Sequence, residues 1–182
     1  MHFPKNLRSL LLLLVVFGLG FSACSKKREG QPKVLVFSKT AGYFHESIPN
    51  GIAAIQKLGA ENGFQVDTTK NAENINEENL AQYAAVIFLS TTGDVLNNYQ
   101  EADFERYIQS GGGYLGIHAA ADTEYEWGWY NRLVGGYFSD HPGIKDPHPN
   151  VQPGKITKTA EKHPSTDFLP CLLYTSPSPR DR

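Results

Sequence analysis

The stretch "AAVIFLSTTGDVLNNYQEADFERYIQSGGGYLGIH", residues 84–118, contains an apolar run, a helical pattern and a second apolar run. The first run, Ala84 to Thr91, is typical of a strand that is buried on both faces of a sheet. Phe104, Tyr107 and Ile108 then recur at helical spacing, and three glycines precede the second run, "YLGIH". A strand, a helix and a strand in this order predict a right-handed crossover between parallel strands.

The preceding residues show the same alternation. "KVLVF" (Lys33 to Phe37) and "FQVDTT" are predicted strands, and "INEENLAQY" is a predicted short helix. Between the two strands lies a longer predicted helix, with an apolar stripe and a glycine to close it: Ile52, Ile55, Leu58, and Gly59 or Gly63. We therefore predict an α/β fold over residues 33–170, a doubly wound, mostly parallel sheet of the flavodoxin-like type.

The N-terminal residues have the pattern of an export signal. Residues 1–23 contain a basic region, an apolar run and small residues, and Cys24 follows them directly. This pattern predicts cleavage and lipidation at Cys24, with residues 24–32 as a tether and the protein anchored to a membrane in the periplasm or at the cell surface. The alternative is a plain secretory signal followed by a chance cysteine.

The C-terminal residues differ in character from the rest. "CLLYTSPSPRD", within residues 171–182, resembles the in-frame translation of a transposase adapter used in sequencing libraries. We interpret this tail as non-native and the domain before it as incomplete; the alternative is a natural tail rich in serine and proline. The two cysteines, Cys24 and Cys171, then both lie outside the domain, which must rely on its core rather than on disulfides.

The charge balance and the position of the glycines argue against two classes of ligand, nucleic acids and dinucleotides. With 17 basic and 19 acidic residues, the chain has no basic footprint for nucleic acid. Gly111, Gly113 and Gly116 have the spacing G-x-G-x-x-G of dinucleotide-binding loops. They follow a helix and lead into a strand, the reverse of the order that a phosphate loop requires. We therefore interpret them as a turn in which glycine supplies positive φ.

The predicted sheet also locates the site, because ligands of open parallel sheets bind outside the carboxyl ends of the strands. Polar and aromatic residues gather in the loops that follow the first, third and fourth of these strands. They are Tyr43, His45, Glu46, Thr91, Thr92, Asp94, His118 and Asp122. We expect them to converge on one rim.

Four motifs, "SKTAGYFHESI", "LSTTGDVLN", "GGGYLGIHAAADTEYEWGWYNRLVGGYF" and "DHP", resemble those of the ThuA-like (trehalose utilisation) family in this order. The resemblance covers nearly all of residues 33–170 and implies a fold similar to the class I glutamine amidotransferases. Those enzymes carry a cysteine nucleophile at the turn after the corresponding strand, where this chain has His118. That cysteine attacks a carboxamide and forms a thioester, which an imidazole does not readily form. We therefore predict no glutaminase activity.

The resemblance implies a trehalose-like or keto-glycoside substrate. We predict a sugar-active enzyme with His118 as general acid/base, assisted by His45, Asp94 and Asp122; the alternative is a non-catalytic carbohydrate-binding lipoprotein. Predicted catalytic residues are His118, His45 and Asp122. Predicted substrate-binding residues are Tyr43, Thr92, Asp94, Trp127, Trp129 and Tyr130. At least one of the last three is expected to lie in the core, because rings so close on a short helix cannot all face one way.

His45, His118 and His141 are predicted ligands of a divalent metal such as zinc in a variant of the enzyme hypothesis. Simpler interpretations of the same residues remain open. His118 would then be a hydrogen-bonded histidine at a strand end, His141 would organise the turn at Pro142, and Asp122 would orient His118 or cap the next segment. The predicted partners are a small carbohydrate, the membrane through the lipid anchor, and a second copy of the chain in a homodimer.

Overall fold

A four-stranded parallel sheet lies at the centre of the computed structural model, which describes residues 30–141, 154–158, 161–169 and 172–175. The strands are β1 (Lys33–Phe37), β2 (Gln65–Thr69), β3 (Ala85–Leu89) and β4 (Gly113–Ile117). Their spatial order is β2-β1-β3-β4, and all three pairings are parallel. This is the order of flavodoxin-like sheets, so the predicted fold class is confirmed.

Four helices connect and cover these strands: α1 (Ile48–Asn62), α2 (Glu77–Leu80), α3 (Asn98–Gln109) and α4 (Gly128–Val134). On one face of the sheet α1 buries Ile48 and Ile55 against the strands. On the other face, Phe104 of α3 and Tyr130 of α4 pack into a larger cluster with the strand residue Phe88. A sheet covered on both faces explains why β1 and β3 read as continuous apolar runs.

The residues that α1 buries differ in part from the predicted apolar stripe. Leu58 is 51% exposed, whereas Ile48, in the first turn, is fully buried. The helix ends at Gly63, which has φ 73°. Gly63 is one of the two glycines that were predicted to close this helix. The other glycine, Gly59, lies inside the helix against β2, where a Cβ would come 2.7 Å from the carbonyl oxygen of Phe64. Close packing of the helix on the sheet therefore explains Gly59.

The glycine run after α3 forms the predicted turn. Gly111 has φ 92°, a left-handed conformation that costs glycine little. The N–H groups of Gly111 and Gly112 donate to the carbonyls of Ile108 and Tyr107, which closes the C-terminus of α3. A Cβ on Gly112 would overlap the Tyr107 ring. These glycines therefore serve a helix end and a close ring contact.

A separate antiparallel pair joins β5 (Gly154–Thr157) and β6 (Leu172–Thr175). β6 lies in the tail that we interpret as adapter-derived. A segment can pair as a strand whatever DNA encodes it, so this pairing does not test the interpretation, which stays a prediction. The signal segment and Cys24 lie outside the described residues. Within the described ranges, no helix is long and apolar enough to cross a membrane.

Candidate functional site at the carboxyl edge of the sheet

Three loops meet at the carboxyl edge of the sheet, which we call the site edge: residues 38–47 after β1, 90–97 after β3 and 118–127 after β4. Parallel bridges continue the sheet into these loops, joining Thr40 to Thr92 and Gly93 to Thr123. The Gly93 N–H donates to the Asp122 carbonyl at 2.7 Å. The edge includes the point between β1 and β3 where flavodoxin-like folds bind ligands.

Two histidines, both predicted as catalytic, come together at the site edge. The ring centroids of His45 and His118 lie 4.9 Å apart in an edge-to-face arrangement. Tyr43 also contacts His45, with a centroid distance of 4.9 Å. His45 is 5% exposed, whereas Tyr43 is 63% exposed and His118 is exposed. The pair therefore combines an imidazole held inside the protein with one that solutes can reach.

Ser90 supports the backbone at His118, a role that the sequence pattern did not indicate. Its hydroxyl donates to the His118 carbonyl, and its side chain is buried. Ser90 has φ 51°, a conformation that is uncommon for residues other than glycine and that concentrates at functional sites. The position of Ser90 directly after a buried strand is the one sequence feature that points to a role in supporting the site edge. Its left-handed backbone cannot be seen in the sequence.

Thr92, whose role in substrate binding stays a prediction, joins two loops inside the protein. The residue is fully buried, and its hydroxyl donates to the Tyr43 carbonyl at 2.8 Å. Its own carbonyl accepts from the Ala41 N–H at 2.7 Å and from the Gly42 N–H at 3.1 Å. Thr92 therefore joins the loops after β1 and β3 through both its side chain and its backbone carbonyl.

Asp122, predicted as catalytic, belongs to a polar group at the surface. Its carboxylate accepts a hydrogen bond from the Tyr125 hydroxyl at 2.6 Å. The same hydroxyl lies 3.0 Å from the Phe138 carbonyl. The rings of Tyr125 and Phe138 are 43% and 39% exposed, so they add aromatic surface that the sequence analysis missed. A half-buried carboxylate beside exposed rings is the combination that we expect of a sugar site.

The aromatic cluster after Asp122 packs mainly against the core. Tyr130 is fully buried, and its hydroxyl bonds to the Tyr114 hydroxyl at 2.8 Å and the Ala120 carbonyl at 2.9 Å. The ring and its polar tip are both used inside the protein, and the role of Tyr130 in substrate binding stays a prediction. Trp127 and Trp129 are half-buried and stack with centroids 5.0 Å apart. Their role in binding stays a prediction.

Glu124 is a buried carboxyl that no pattern in the sequence indicated. It is 3% exposed, and its Oε1 accepts hydrogen bonds of 2.8 Å from both the Val95 and the Leu96 N–H. Burial raises the pKa of this carboxyl to about 7, and the negative charges of Asp94 and Glu101 act in the same direction. The two backbone N–H groups oppose the rise. Asp94, predicted as substrate-binding, is exposed beside this cluster.

The predicted three-histidine metal site is only partly assembled. His45 and His118 are in contact, while the ring of His141 lies 5.6 Å from that of Phe138. Among the residues that the structure describes, no three His, Cys, Asp or Glu side chains are grouped so that they could hold a metal ion. The structure therefore brings together two of the three proposed ligands.

Comparisons with known proteins agree with this architecture. A family model described as ThuA, trehalose utilisation, matches residues 33–176, which extends past the predicted end of the domain at Pro170. Among solved structures, the chain is similar to a ThuA-like protein from Bacteroides uniformis, with 24% identity and a TM-score of 0.66. That likeness covers 85% of this chain and 62% of the other, so this chain spans less than two thirds of its relative. No curated protein matches.

Proposed function

The chain belongs to the ThuA family, whose function lies in trehalose utilisation, and from this premise we propose that it is an enzyme that acts on a trehalose-like or keto-glycoside sugar. The reaction would take place at the site edge, with His118 and His45 as an acid/base pair. The observation that carries the proposal is the contact between these two rings at 4.9 Å, at the edge of the sheet where such folds bind ligands.

Two imidazoles in contact suit proton transfer. A buried imidazole and an exposed one differ in their access to a substrate, and such a difference separates their roles. His45 is the buried member and His118 the exposed one. We infer that His118 exchanges the proton with the sugar, while His45 orients it and receives or returns the proton.

The aromatic and carboxylate groups in the same three loops suit a sugar ring. Tyr43 contacts His45 and presents most of its ring to solvent. A flat ring can cover the apolar face of a pyranose, while carboxylates such as those of Asp122 and Asp94 accept hydrogen bonds from hydroxyl groups. We therefore propose Tyr43, Asp122 and Asp94 as the substrate-binding residues, with Tyr125 and Phe138 extending the surface.

Turnover of candidate sugars tests this proposal. The full-length protein is incubated with trehalose and with keto-glycosides, products are detected by mass spectrometry, and binding is measured by calorimetry. We expect His118→Ala to lower turnover by about 100-fold or more while sugar binding is retained, because removing a general acid or base typically costs this much. His163→Ala is the matched control, since that exposed histidine bonds to Ser165, outside the site edge.

Two results would count against catalysis. If His118→Ala turned sugar over at the wild-type rate, His118 would have no catalytic role. If the wild-type protein bound sugar but transformed none of the substrates, the protein would be the alternative, a non-catalytic carbohydrate-binding lipoprotein.

A divalent metal such as zinc is a variant of the same proposal. His45 and His118 would be ligands, and His141 would supply a third nitrogen. Metal analysis of the purified wild-type protein and of His45→Ala separates the variants. Stoichiometric zinc that is lost in His45→Ala supports the metal site, and the same metal content in both proteins contradicts it.

Export, lipidation at Cys24 and a homodimer stay part of the proposal. Labelling of cells with a radioactive fatty acid, compared between the wild-type chain and Cys24→Ala, tests the anchor. Label in the wild type alone supports lipidation, whereas equal labelling contradicts it.

A further inference from the structure

Three consecutive hydroxyl residues, Ser90, Thr91 and Thr92, follow β3 directly at the site edge. All three are buried, with 2%, 0% and 0% of their surface exposed. A buried hydroxyl costs free energy unless it forms a hydrogen bond, and each of these three forms one. The hydroxyls are therefore placed to act on the protein itself rather than on solvent.

Ser90 holds the end of β4 through two groups. Its N–H donates to the Ile117 carbonyl at 3.2 Å, and its hydroxyl donates to the His118 carbonyl. Its φ of 51° lies in the left-handed region, which costs a serine free energy. Glycine would adopt this φ at less cost, but only a side chain with a donor can bind the His118 carbonyl.

Thr92 holds the residue that packs on the other histidine. Its hydroxyl donates to the Tyr43 carbonyl at 2.8 Å, and the Tyr43 ring contacts His45 with a centroid distance of 4.9 Å. His45 in turn contacts His118 at the same centroid distance. Two hydroxyls of one short segment thus bind the backbone of His118 and the backbone of the neighbour of His45.

Thr91, between these two residues, has a different partner. Its hydroxyl lies 2.9 Å from that of Thr123, and the two form a hydrogen bond with each other. This bond ends neither at a histidine nor at Tyr43. The three side chains are therefore alike in chemistry and burial but differ in what they hold.

We propose that Ser90 and Thr92, which we call the hydroxyl bridge, set the separation of the two imidazole rings, with Ser90 as the positioning residue for His118. The importance of the bridge for catalysis rests on the proposed function. The bridge itself rests on the hydrogen bonds of the two hydroxyls and on the ring contacts of His45.

The separation of the rings decides whether a proton can pass between them. Proton transfer requires the donor and acceptor atoms to come within hydrogen-bond reach, directly or through one water. A misplacement of about 1 Å can lower a catalysed rate by about 100-fold. Ser90 is buried, so its hydroxyl acts through His118 rather than on the substrate. Its loss should therefore lower kcat and leave KM almost unchanged.

Nuclear Overhauser effects between aromatic rings test the bridge without sugar. The full chain carries isotope-labelled histidine and tyrosine, and the effect between His45 and His118 is measured in wild type, Ser90→Gly and Ser90→Ala. We expect a clear effect in the wild type that weakens or vanishes in both variants. Ser90→Gly is the sharper variant, because glycine adopts the φ of residue 90 without strain and the variant should fold. Urea unfolding checks that it does.

Thr91→Val is the matched control within the same segment. Valine has a similar shape, and the variant loses a buried hydroxyl bond that ends at neither histidine. It should be less stable than the wild type and yet keep the effect between His45 and His118. Thr92→Val should instead weaken the effect between Tyr43 and His45.

The ring effects and the kinetics fail separately. No effect between His45 and His118 in the wild type, an unchanged effect in both Ser90 variants, or an equal loss in Thr91→Val would overturn the bridge. With a sugar that the wild type turns over, Ser90→Gly should lower kcat by about 100-fold at an almost unchanged KM. A ring effect that is lost while kcat is unchanged would support the bridge and count against the histidines as the catalytic pair.

Discussion

Replacing Glu124 by glutamine should make the protein more stable at neutral pH than the wild type. The pKa of the buried carboxyl is raised from 4.5 to about 7, so the unfolded chain loses this proton at lower pH than the folded protein. The stability of the wild type therefore falls between these pH values and is lowest, with respect to this group, above about pH 7. At about 1.4 kcal/mol per pKa unit, the shift corresponds to about 3 kcal/mol.

Urea unfolding of wild type and Glu124→Gln from about pH 4 to about pH 8 measures this effect. Groups that do not interact with Glu124 contribute equally to both proteins; Asp67, for example, has a pKa lowered by its hydrogen bond with Lys33 and loses its contribution as the pH falls. The difference in unfolding free energy between the two proteins therefore reports Glu124 together with Glu101, whose pKa depends on Glu124. It should move in favour of the variant by about 3 kcal/mol as the pH rises. A difference that stays constant with pH would refute the reasoning.

Three further substitutions test the packing, each by urea unfolding. Tyr130→Phe should cost about 1 to 2 kcal/mol, because it removes a buried hydroxyl bonded to Tyr114 and to a backbone carbonyl; unchanged stability with weaker sugar binding would place Tyr130 in the binding site. Gly112→Ala should cost about 2 kcal/mol or more, since its Cβ would overlap the Tyr107 ring, and a neutral effect would contradict that packing. Asn97→Ala should cost about 1 kcal/mol through loss of the capping box of α3, so an equally stable variant would contradict a role for the cap.

The fold could be predicted because its signals are local. Apolar runs such as Val86 to Leu89 become strands, and Gly111 and Gly63 end helices where left-handed φ is needed. The error at Leu58 has a physical cause, since the helical spacing of α1 is equally satisfied by a stripe that begins at Ile48. Which stripe faces the sheet depends on where the helix packs.

The site could be located but not assigned residue by residue. His45 and His118 meet because parallel strands end at one edge, and this rule was sufficient to predict that they converge. The roles of Thr92 and Tyr130 depend on burial and on bonds to distant backbone, which the sequence does not show. Glu124 was missed for the same reason, because its partners Val95 and Leu96 lie in another loop.

The central claim, that the histidine pair at the site edge meets a sugar, is tested most directly by NMR titration. Trehalose is added to the full-length protein while the imidazole resonances of His45, His118 and His163 are followed. We expect the resonances of His45 and His118 to shift together and to saturate with one binding constant, while those of His163 stay unchanged. Saturable binding that leaves the resonances of both His45 and His118 unmoved would contradict the account.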